Sequence, residues 1–142
     1  ASCLVGSEMC IRDRYYNGEQ FVENIEEVKG LLNNVSCELS VNEEDGKYLC
    51  VFTHNVQSPY IATSSSPTPY GPFDEMRIAY VCPEKLCDHM YIYNAKAHPH
   101  LSKEGELLVS YNINTSNFSE NIQYGRTYGP RFIKLRKESE AK

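Results

Sequence analysis

Glu38 is the carboxylate in this sequence whose surroundings best suit acid or base chemistry. It stands in Ser36-Cys-Glu-Leu-Ser40, a stretch whose alternating pattern predicts a strand, where an exposed glutamate has little reason to occur. Burial on such a strand would raise the pKa of the carboxyl group, as a general acid requires. The alternative is an ordinary glutamate on the outward face of a half-buried strand. Asp74 and Glu75 follow a turn, so we expect them to be solvated.

Asn94, Lys96 and His98 form the second group of polar residues at a regular spacing. They alternate along one predicted strand, so their side chains are expected on one face, with Ala95 and Ala97 on the other. An amide, an ammonium and an imidazole make a poor core face and a good face for hydrogen bonding to a ligand. The alternative is an exposed polar face of a sheet.

Arg131 is a charged residue inside an apolar terminal strand, in the segment Gly-Pro-Arg-Phe. It is expected either to contact hydroxyl or carboxylate groups of a ligand or to form a structural ion pair. The 11 tyrosines, with no tryptophan, suit stacking on a ligand and equally suit the surface of a sheet. They therefore do not discriminate between functions.

Residues 4–14 have no hydrophobic period, no helix cap and no turn pattern. They resemble, codon by codon, an in-frame translation of the transposon-end adapter that is used in DNA library preparation. We therefore expect residues 1–14 to be non-native and leave them out of fold reasoning. The charged tail of residues 137–142 is expected to be disordered.

Charge and hydropathy restrict the class of partner. The net charge is −5 and the sequence has no basic run, so neither nucleic acid nor an anionic membrane is an expected partner. No apolar stretch approaches the ~18 residues of a membrane-spanning helix.

Cysteines and glycosylation motifs indicate an oxidising, extracellular environment. Without the N-terminal segment, four cysteines remain, an even number that suits two disulfides: Cys37, Cys50, Cys82 and Cys87. Three acceptor motifs for N-glycosylation begin at Asn34, Asn114 and Asn117. We expect Cys82 and Cys87 to close a local disulfide loop. Cys37 and Cys50 flank the Asp45-Gly46 hairpin and could pair across it, but the sequence does not fix the register. A zinc set of Cys82, Cys87 and His89 with His98 or His100 is the alternative, but its spacing matches no common zinc module.

The elements that must position these residues are mostly strands. Apolar residues at helical spacing predict one short helix over 20–32. Asp45-Gly46 is a strong hairpin signal, residues 65–72 are dense in turn formers, and Lys103-Glu-Gly105 predicts another turn. Seven strands are predicted, over 37–41, 47–53, 60–64, 76–81, 90–97, 106–112 and 130–135.

This pattern predicts an all-β sandwich, barrel or propeller. The strands form two hairpin-rich groups, over about 35–81 and 90–135, and each group opens with a strand that carries polar residues. Consecutive blades of a propeller have this order, because the first strand of each blade lines the central channel.

Three parts of the sequence resemble one family. They are Tyr60-Ile-Ala-Thr-Ser-Ser-Ser-Pro-Thr-Pro-Tyr-Gly-Pro-Phe73, then Tyr93-Asn-Ala-Lys-Ala-His-Pro-His100 followed by Gly105-Glu-Leu-Leu-Val-Ser-Tyr-Asn112, and Tyr128-Gly-Pro-Arg-Phe132. They are similar to the C-terminal part of secreted proteins that carry domains of unknown function 4185 and 5005, which resemble five-bladed β-propeller glycoside hydrolases.

The resemblance implies that residues 15–136 are the C-terminal blades of a five-bladed β-propeller whose N-terminal blades are missing. The parent would act on or bind an extracellular polysaccharide, and the fragment alone would be inactive. Glycoside hydrolysis uses two carboxylates, and Glu38 is the catalytic candidate. The other site residues are candidate sugar contacts: Asn94, Lys96, His98 and Arg131. The sequence identifies no cofactor; the resemblance allows a central metal ion near His98 only in the full-length parent, as in related propellers.

Two other interpretations stay open. A non-catalytic propeller that binds sugars or proteins would lack the second channel-facing carboxylate. A small disulfide-stapled β domain would be complete in itself and would fold cooperatively alone.

Overall fold

A computed structural model describes residues 13–56, 58–85 and 87–136 of the chain. Most of the predicted non-native segment and all of the predicted disordered tail, residues 137–142, lie outside the described residues. The chain divides into two units, Ala1–Leu31 and Leu32–Lys142.

The first unit holds a small hairpin and a turn instead of the helix expected over 20–32. Strands β1 (Tyr15–Tyr16) and β2 (Phe21–Val22) pair antiparallel, and a single 3₁₀ turn covers Ile25–Glu27. Asn24 caps this turn, and the backbone is extended again at Val28, with φ −62° and ψ 137°, so no further helical turn can form. The expectation was wrong because the described residues of this unit, 13–31, do not cover the apolar stripe: Phe21, Ile25 and Val28 are each more than half exposed.

The second unit contains all seven predicted strands, in two antiparallel sheets whose strands follow chain order. The four-stranded sheet consists of β3 (Val35–Glu44), β4 (Lys47–His54), β5 (Tyr60–Ser66) and β6 (Arg77–Val81). The three-stranded sheet consists of β7 (Met90–Ala97), β8 (Glu106–Thr115) and β9 (Gly129–Arg136). The all-β prediction is therefore confirmed.

Turn residues place the strands in register. Asp45 and Gly46 adopt positive φ values of 52° and 75°, as a two-residue hairpin turn requires, and they set Glu44 opposite Lys47. Gly105 has φ 75° in the turn before β8. A six-residue helix, α1 (Phe118–Gln123), was not predicted. No helix among the described residues is long and apolar enough to cross a bilayer.

The main core lies between the two sheets. Strand β8 alternates half-buried and buried side chains along its whole length, so one face meets the four-stranded sheet. The buried members of this core come from both sheets and from the β6–β7 connection: Val51, Ile61, Cys82, Ile92, Ala95, Ala97, Leu107, Val109, Tyr111 and Ile113. A smaller core on the other face of the four-stranded sheet contains Cys50, Phe52 and Ala62.

Strands β3 and β7, which are edge strands of different sheets, lie against each other. The backbone N–H of Ala97 donates to Ser40 Oγ at 2.8 Å, and that of Ala95 donates to Thr53 Oγ1 at 3.4 Å. These N–H groups have no strand beside them in their own sheet, and hydroxyl groups of the other sheet satisfy them. The contact fixes the positions of the polar residues that both strands carry.

Candidate functional site

The polar residues of β3 and β7 form the first candidate site, called the β3–β7 site: Glu38, Tyr93, Asn94, Lys96 and His98. Glu38 lies on β3 and Tyr93, Asn94 and Lys96 lie on β7, the two edge strands that contact each other, and His98 directly follows β7.

Glu38 is exposed, which corresponds to the alternative interpretation of an outward-facing glutamate. The edge strand β3 shifts register against β4 between Val35 and Leu39, so the neighbouring strand does not cover this carboxylate. Glu38 still acts on β7, because its charge contributes to the raised pKa of the Tyr93 phenol. The main cause of that raised pKa is burial, followed by the neighbouring tyrosines Tyr91 and Tyr128.

Asn94 lies at a β-bulge that interrupts the alternation between Tyr93 and Asn94, while the alternation from Asn94 to Ala97 is kept. The pairing of β7 with β8 shifts register between Tyr93 and Lys96, and Asn94 has a left-handed φ of 58°. Asn94 Oδ1 is also one of four buried side-chain atoms in the described parts of the chain with no hydrogen-bond partner. An unsatisfied buried oxygen at a bulged position indicates a functional position.

Lys96 and His98 keep the same face as each other, on the side of the three-stranded sheet away from the core. Lys96 pairs with Ser110 in the strand register, and His98 Nε2 lies 2.7 Å from Ser110 Oγ. Their neighbours Ala95 and Ala97 are buried, as the alternation predicted.

Two tyrosines of β7 extend this site. The rings of Tyr91 and Tyr93 are 5.6 Å apart between centroids and are tilted by 44°. Tyr93 hydrogen-bonds to the side chain of Asn114 on β8. Tyr128 is 76% exposed, so an aromatic ring is available to solvent beside the site.

Arg131 does not join the β3–β7 site. It lies opposite Tyr111 in the strand register, and Tyr111 belongs to the core between the sheets. Its Nε lies 3.9 Å from Glu84 Oε1, and its Nη2 donates to the carbonyl of Arg126 at 2.6 Å. This geometry corresponds to the structural ion pair, which was the alternative interpretation of Arg131.

Glu84 is the centre of a second candidate site that the sequence analysis missed. Tyr111 Oη donates to Glu84 Oε1 at 2.7 Å, whereas Glu84 Oε2 is buried with no hydrogen-bond partner. Burial, and then the bond to Glu84, raise the pKa of Tyr111. Burial also raises the pKa of the adjacent Cys82 thiol to about 12, with a smaller contribution from the charge of Glu84.

A cavity of about 430 Å³ adjoins this carboxylate, and its wall includes Ser58, Lys85, Asp88 and Tyr91. We call Glu84 and this cavity the Glu84 pocket. One signal in the sequence pointed to it: Tyr111 occupies a core position, and a buried tyrosine hydroxyl needs an acceptor. The acceptor lies 27 residues away in a loop, so the sequence did not identify it.

All four described cysteines are free thiols, and the expected disulfides do not form in this structure. Val41 lies opposite Cys50, and Cys37 is four residues further along β3, or about 13 Å. A disulfide requires Cα atoms within about 7 Å, so this pairing was wrong.

Cys82 and Cys87 face different neighbours. Cys82 hydrogen-bonds to Tyr111, whereas Cys87 hydrogen-bonds to Glu120 and Thr115. The alternative zinc set does not assemble either, because the described residues contain no group of three or more His, Cys, Asp or Glu side chains arranged for a metal. Burial, and then the hydrogen bond to Glu120, raise the pKa of the Cys87 thiol.

The three glycosylation motifs differ in accessibility. Asn34 is exposed in the turn before β3. Asn114 lies half-buried within β8, and its Oδ1 accepts from the Thr115 N–H at 2.8 Å. Asn117 caps helix α1 by accepting from the Ser119 N–H at 3.0 Å. Asn34 is therefore the acceptor with the most accessible side chain.

Comparisons with known proteins give a family and a structural neighbour. A crystal structure of a Bacteroides ovatus protein, provisionally described as a hydrolase, matches 73% of this chain at 26% identity with a TM-score of 0.63. This chain spans 28% of that protein's length. Among curated proteins, none matches the chain. The sequence profile of a domain of unknown function, DUF5005, matches residues 7–137. The chain therefore belongs to the DUF5005 family.

Proposed function

We propose that this chain is part of a glycoside hydrolase-like β-propeller that acts on or binds an extracellular polysaccharide. The 26% identity to a protein described as a hydrolase supports a hydrolase-like fold. Two meandering sheets that pack face to face, with their first strands in contact, support an interpretation as consecutive blades. The other blades of the proposed five would come from the missing N-terminal part of the same protein.

The observation that carries the proposal is the β-bulge at Asn94 in the β3–β7 site. The buried, unsatisfied Oδ1 of Asn94 costs stability, and such a cost persists where a ligand interaction compensates it. Glu38 contributes a carboxylate on the adjacent strand. Lys96 and His98 present a cation and an imidazole that can hydrogen-bond to sugar hydroxyls.

Within this proposal Glu38 is the catalytic carboxylate, and a second carboxylate comes from the missing blades, since glycoside hydrolysis uses a pair. No step is assigned to a central metal ion. His98, the residue expected near such an ion, already directs Nε2 to Ser110, so the described residues do not form a site that fits a metal.

A non-catalytic propeller that binds sugars or proteins is the second candidate function. The observation that favours it is that the β3–β7 site holds one carboxylate, Glu38, whereas hydrolysis needs two. In this case Lys96 and His98 would bind the polysaccharide without cleaving it.

An extracellular location is part of the same proposal, because the polysaccharide that the protein would act on or bind is extracellular. The accessible glycosylation motif at Asn34 supports it. Expression through a secretory pathway, followed by peptide mapping with and without glycosidase treatment, tests whether Asn34 carries a glycan.

The test of function is the Glu38→Gln substitution in the complete parent protein. With a panel of plant and bacterial polysaccharides as substrates, we expect kcat for release of reducing ends to fall about 100-fold or more, with KM little changed. Glu43→Gln, which changes an exposed glutamate on the same strand, is the matched control and should leave kcat unchanged.

Two results would change the proposed role of Glu38 or the proposed function. Full activity in the Glu38→Gln protein would remove Glu38 from the catalytic role. Absence of hydrolysis by the wild type, together with polysaccharide binding that Lys96→Met weakens, would establish the non-catalytic alternative.

A further inference from the structure

We propose that the Glu84 pocket is a separate subsite that binds a neutral sugar through hydrogen bonds from its hydroxyl groups to Glu84. This inference rests on the proposed carbohydrate function but concerns a different place in the fold. The pocket lies beside the core between the two sheets, and it is built by the β4–β5 and β6–β7 connections together with the first residues of β7.

The shape of the site fits a small ligand. A volume of about 430 Å³ lies within the range of roughly 300–1,000 Å³ that is typical of ligand pockets. All of its lining residues belong to one unit of the chain.

Glu84 provides an acceptor that the protein itself leaves unused. Its side chain is 16% exposed, and Oε1 is held by Tyr111 and approached by Arg131. Oε2 is buried with no partner in the described structure. A buried carboxylate oxygen without a hydrogen bond is costly. A small turn of the carboxylate that brings Oε2 to the cavity would let a ligand hydroxyl donate to it and remove that cost.

The charges around the pocket favour a neutral polyhydroxylated ligand. Two carboxylates, Glu84 and Asp88, would repel an anion. Two cations, Lys85 on the wall and Arg131 beside Glu84, offset the charge of those carboxylates. A metal ion would need more ligands than the described residues bring together. A sugar hydroxyl can donate to Glu84 and accept from Lys85 at once, and Tyr91 offers a ring face for stacking.

Amide NMR of the isotope-labelled full chain tests this inference, with cellobiose and xylobiose as neutral probes and galacturonate as an anionic probe. We expect the neutral disaccharides to shift the resonances of Ser58, Asp88 and Tyr91. Glu84→Gln keeps an oxygen for the Tyr111 bond but places a donor where Oε2 was, so it should weaken this binding about tenfold or more. Glu104→Gln, an exposed glutamate in a turn, is the matched control.

Lys85→Met provides a second variant at an exposed position, so the inference stays testable if Glu84→Gln fails to fold. It should weaken binding severalfold without changing the melting temperature. Shifts confined to Glu38, Lys96 and His98 would overturn the subsite and leave the proposed function standing. Shifts with galacturonate only would overturn a neutral-sugar subsite. No shift anywhere with any probe would count against both proposals.

Discussion

Glu120 on helix α1 makes hydrogen bonds to His89, which directly precedes β7, and to Thr115, the last residue of β8. His89 Nδ1 lies 2.8 Å from Glu120 Oε1, and Thr115 Oγ1 donates to Glu120 Oε2 at 2.5 Å. The Thr115 bond, followed by the His89 bond, lowers the pKa of Glu120 to about 2. The same pair raises the pKa of His89, mainly through the hydrogen bond to Glu120.

These shifts predict a pH window for the stability that the pair provides. The contribution of His89 is present below its ordinary pKa of 6.5 and is lost as pH rises through the raised value. That of Glu120 is present above its ordinary 4.5 and is lost as pH falls towards about 2. We therefore expect Glu120→Gln to lower the melting temperature most between these two ordinary values, and by less at about pH 8.5 or about pH 3.

Melting curves followed by circular dichroism across this pH range provide the measurement. The Thr115 bond does not depend on His89, so part of the difference should remain in alkaline buffer. Glu104→Gln, which removes an exposed carboxylate from a turn, should show no such window. A difference for Glu120→Gln that stays constant with pH would contradict the assignment of His89 as its charged partner.

At the residue scale, the sequence predicted side chains that follow a local pattern better than those that depend on tertiary contacts. Lys96 and His98 share a face because two-residue alternation is a local property of a strand. Glu84 could not be predicted, since its loop has no periodicity and its partner Tyr111 lies 27 residues along the chain. The sequence left open whether Glu38 is buried, because alternation shows which residues share a face but not whether another element covers that face.

At the element scale, the β-bulge in β7 is a place where stability and ligand binding make opposite demands. The φ of 58° and the unsatisfied Oδ1 both belong to Asn94; glycine adopts this φ freely and would remove the oxygen. A bulge cannot be predicted from alternation, because it is the place where alternation is interrupted.

Asn94→Gly should therefore stabilise the chain, with a free energy of unfolding that is about 1 kcal/mol higher in urea titrations. The left-handed conformation alone gives asparagine little strain, so most of the gain comes from removing the buried oxygen. Polysaccharide binding by the parent protein should weaken at the same time.

Asn55→Gly is the matched control for this prediction. Asn55 has the same φ of 58° but is exposed, so its substitution should change stability by no more than a few tenths of a kcal/mol. A loss of stability in the Asn94→Gly protein would show that the Asn94 side chain serves the fold rather than a ligand.

Strands and helices were predicted correctly where the apolar residues of the pattern are buried in the structure, and wrongly where those residues stay exposed. All seven strands predicted from the sequence are present, because each lies in a sheet that packs on a core. The helix expected over 20–32 has the correct spacing of apolar residues, but its unit provides no surface to bury them. Helix α1 has six residues, too few for helical periodicity to show in the sequence.

At the scale of the whole molecule, the two faces of the three-stranded sheet differ. One face packs in the core between the sheets, while the other carries Phe132, which is 60% exposed, beside the polar residues Lys96 and Ser110. This chain spans 28% of the protein that it matches structurally. In a ring of blades, a neighbouring blade would cover Phe132 on the outer strand β9, while β7, the first strand of its sheet, would stay at the central channel with Lys96.

Phe132→Ser distinguishes a blade within a ring from a complete small domain. In the chain of 142 residues the ring of Phe132 is mostly in solvent, so we expect the free energy of unfolding to fall by no more than about 0.5 kcal/mol. In the longer parent proposed above, the same change would remove a buried aromatic side chain and should cost about 3 kcal/mol. Urea unfolding of both proteins, each with and without the substitution, measures the difference. Equal small costs in both would mean that no blade packs on this face, and the five-bladed arrangement would then be wrong.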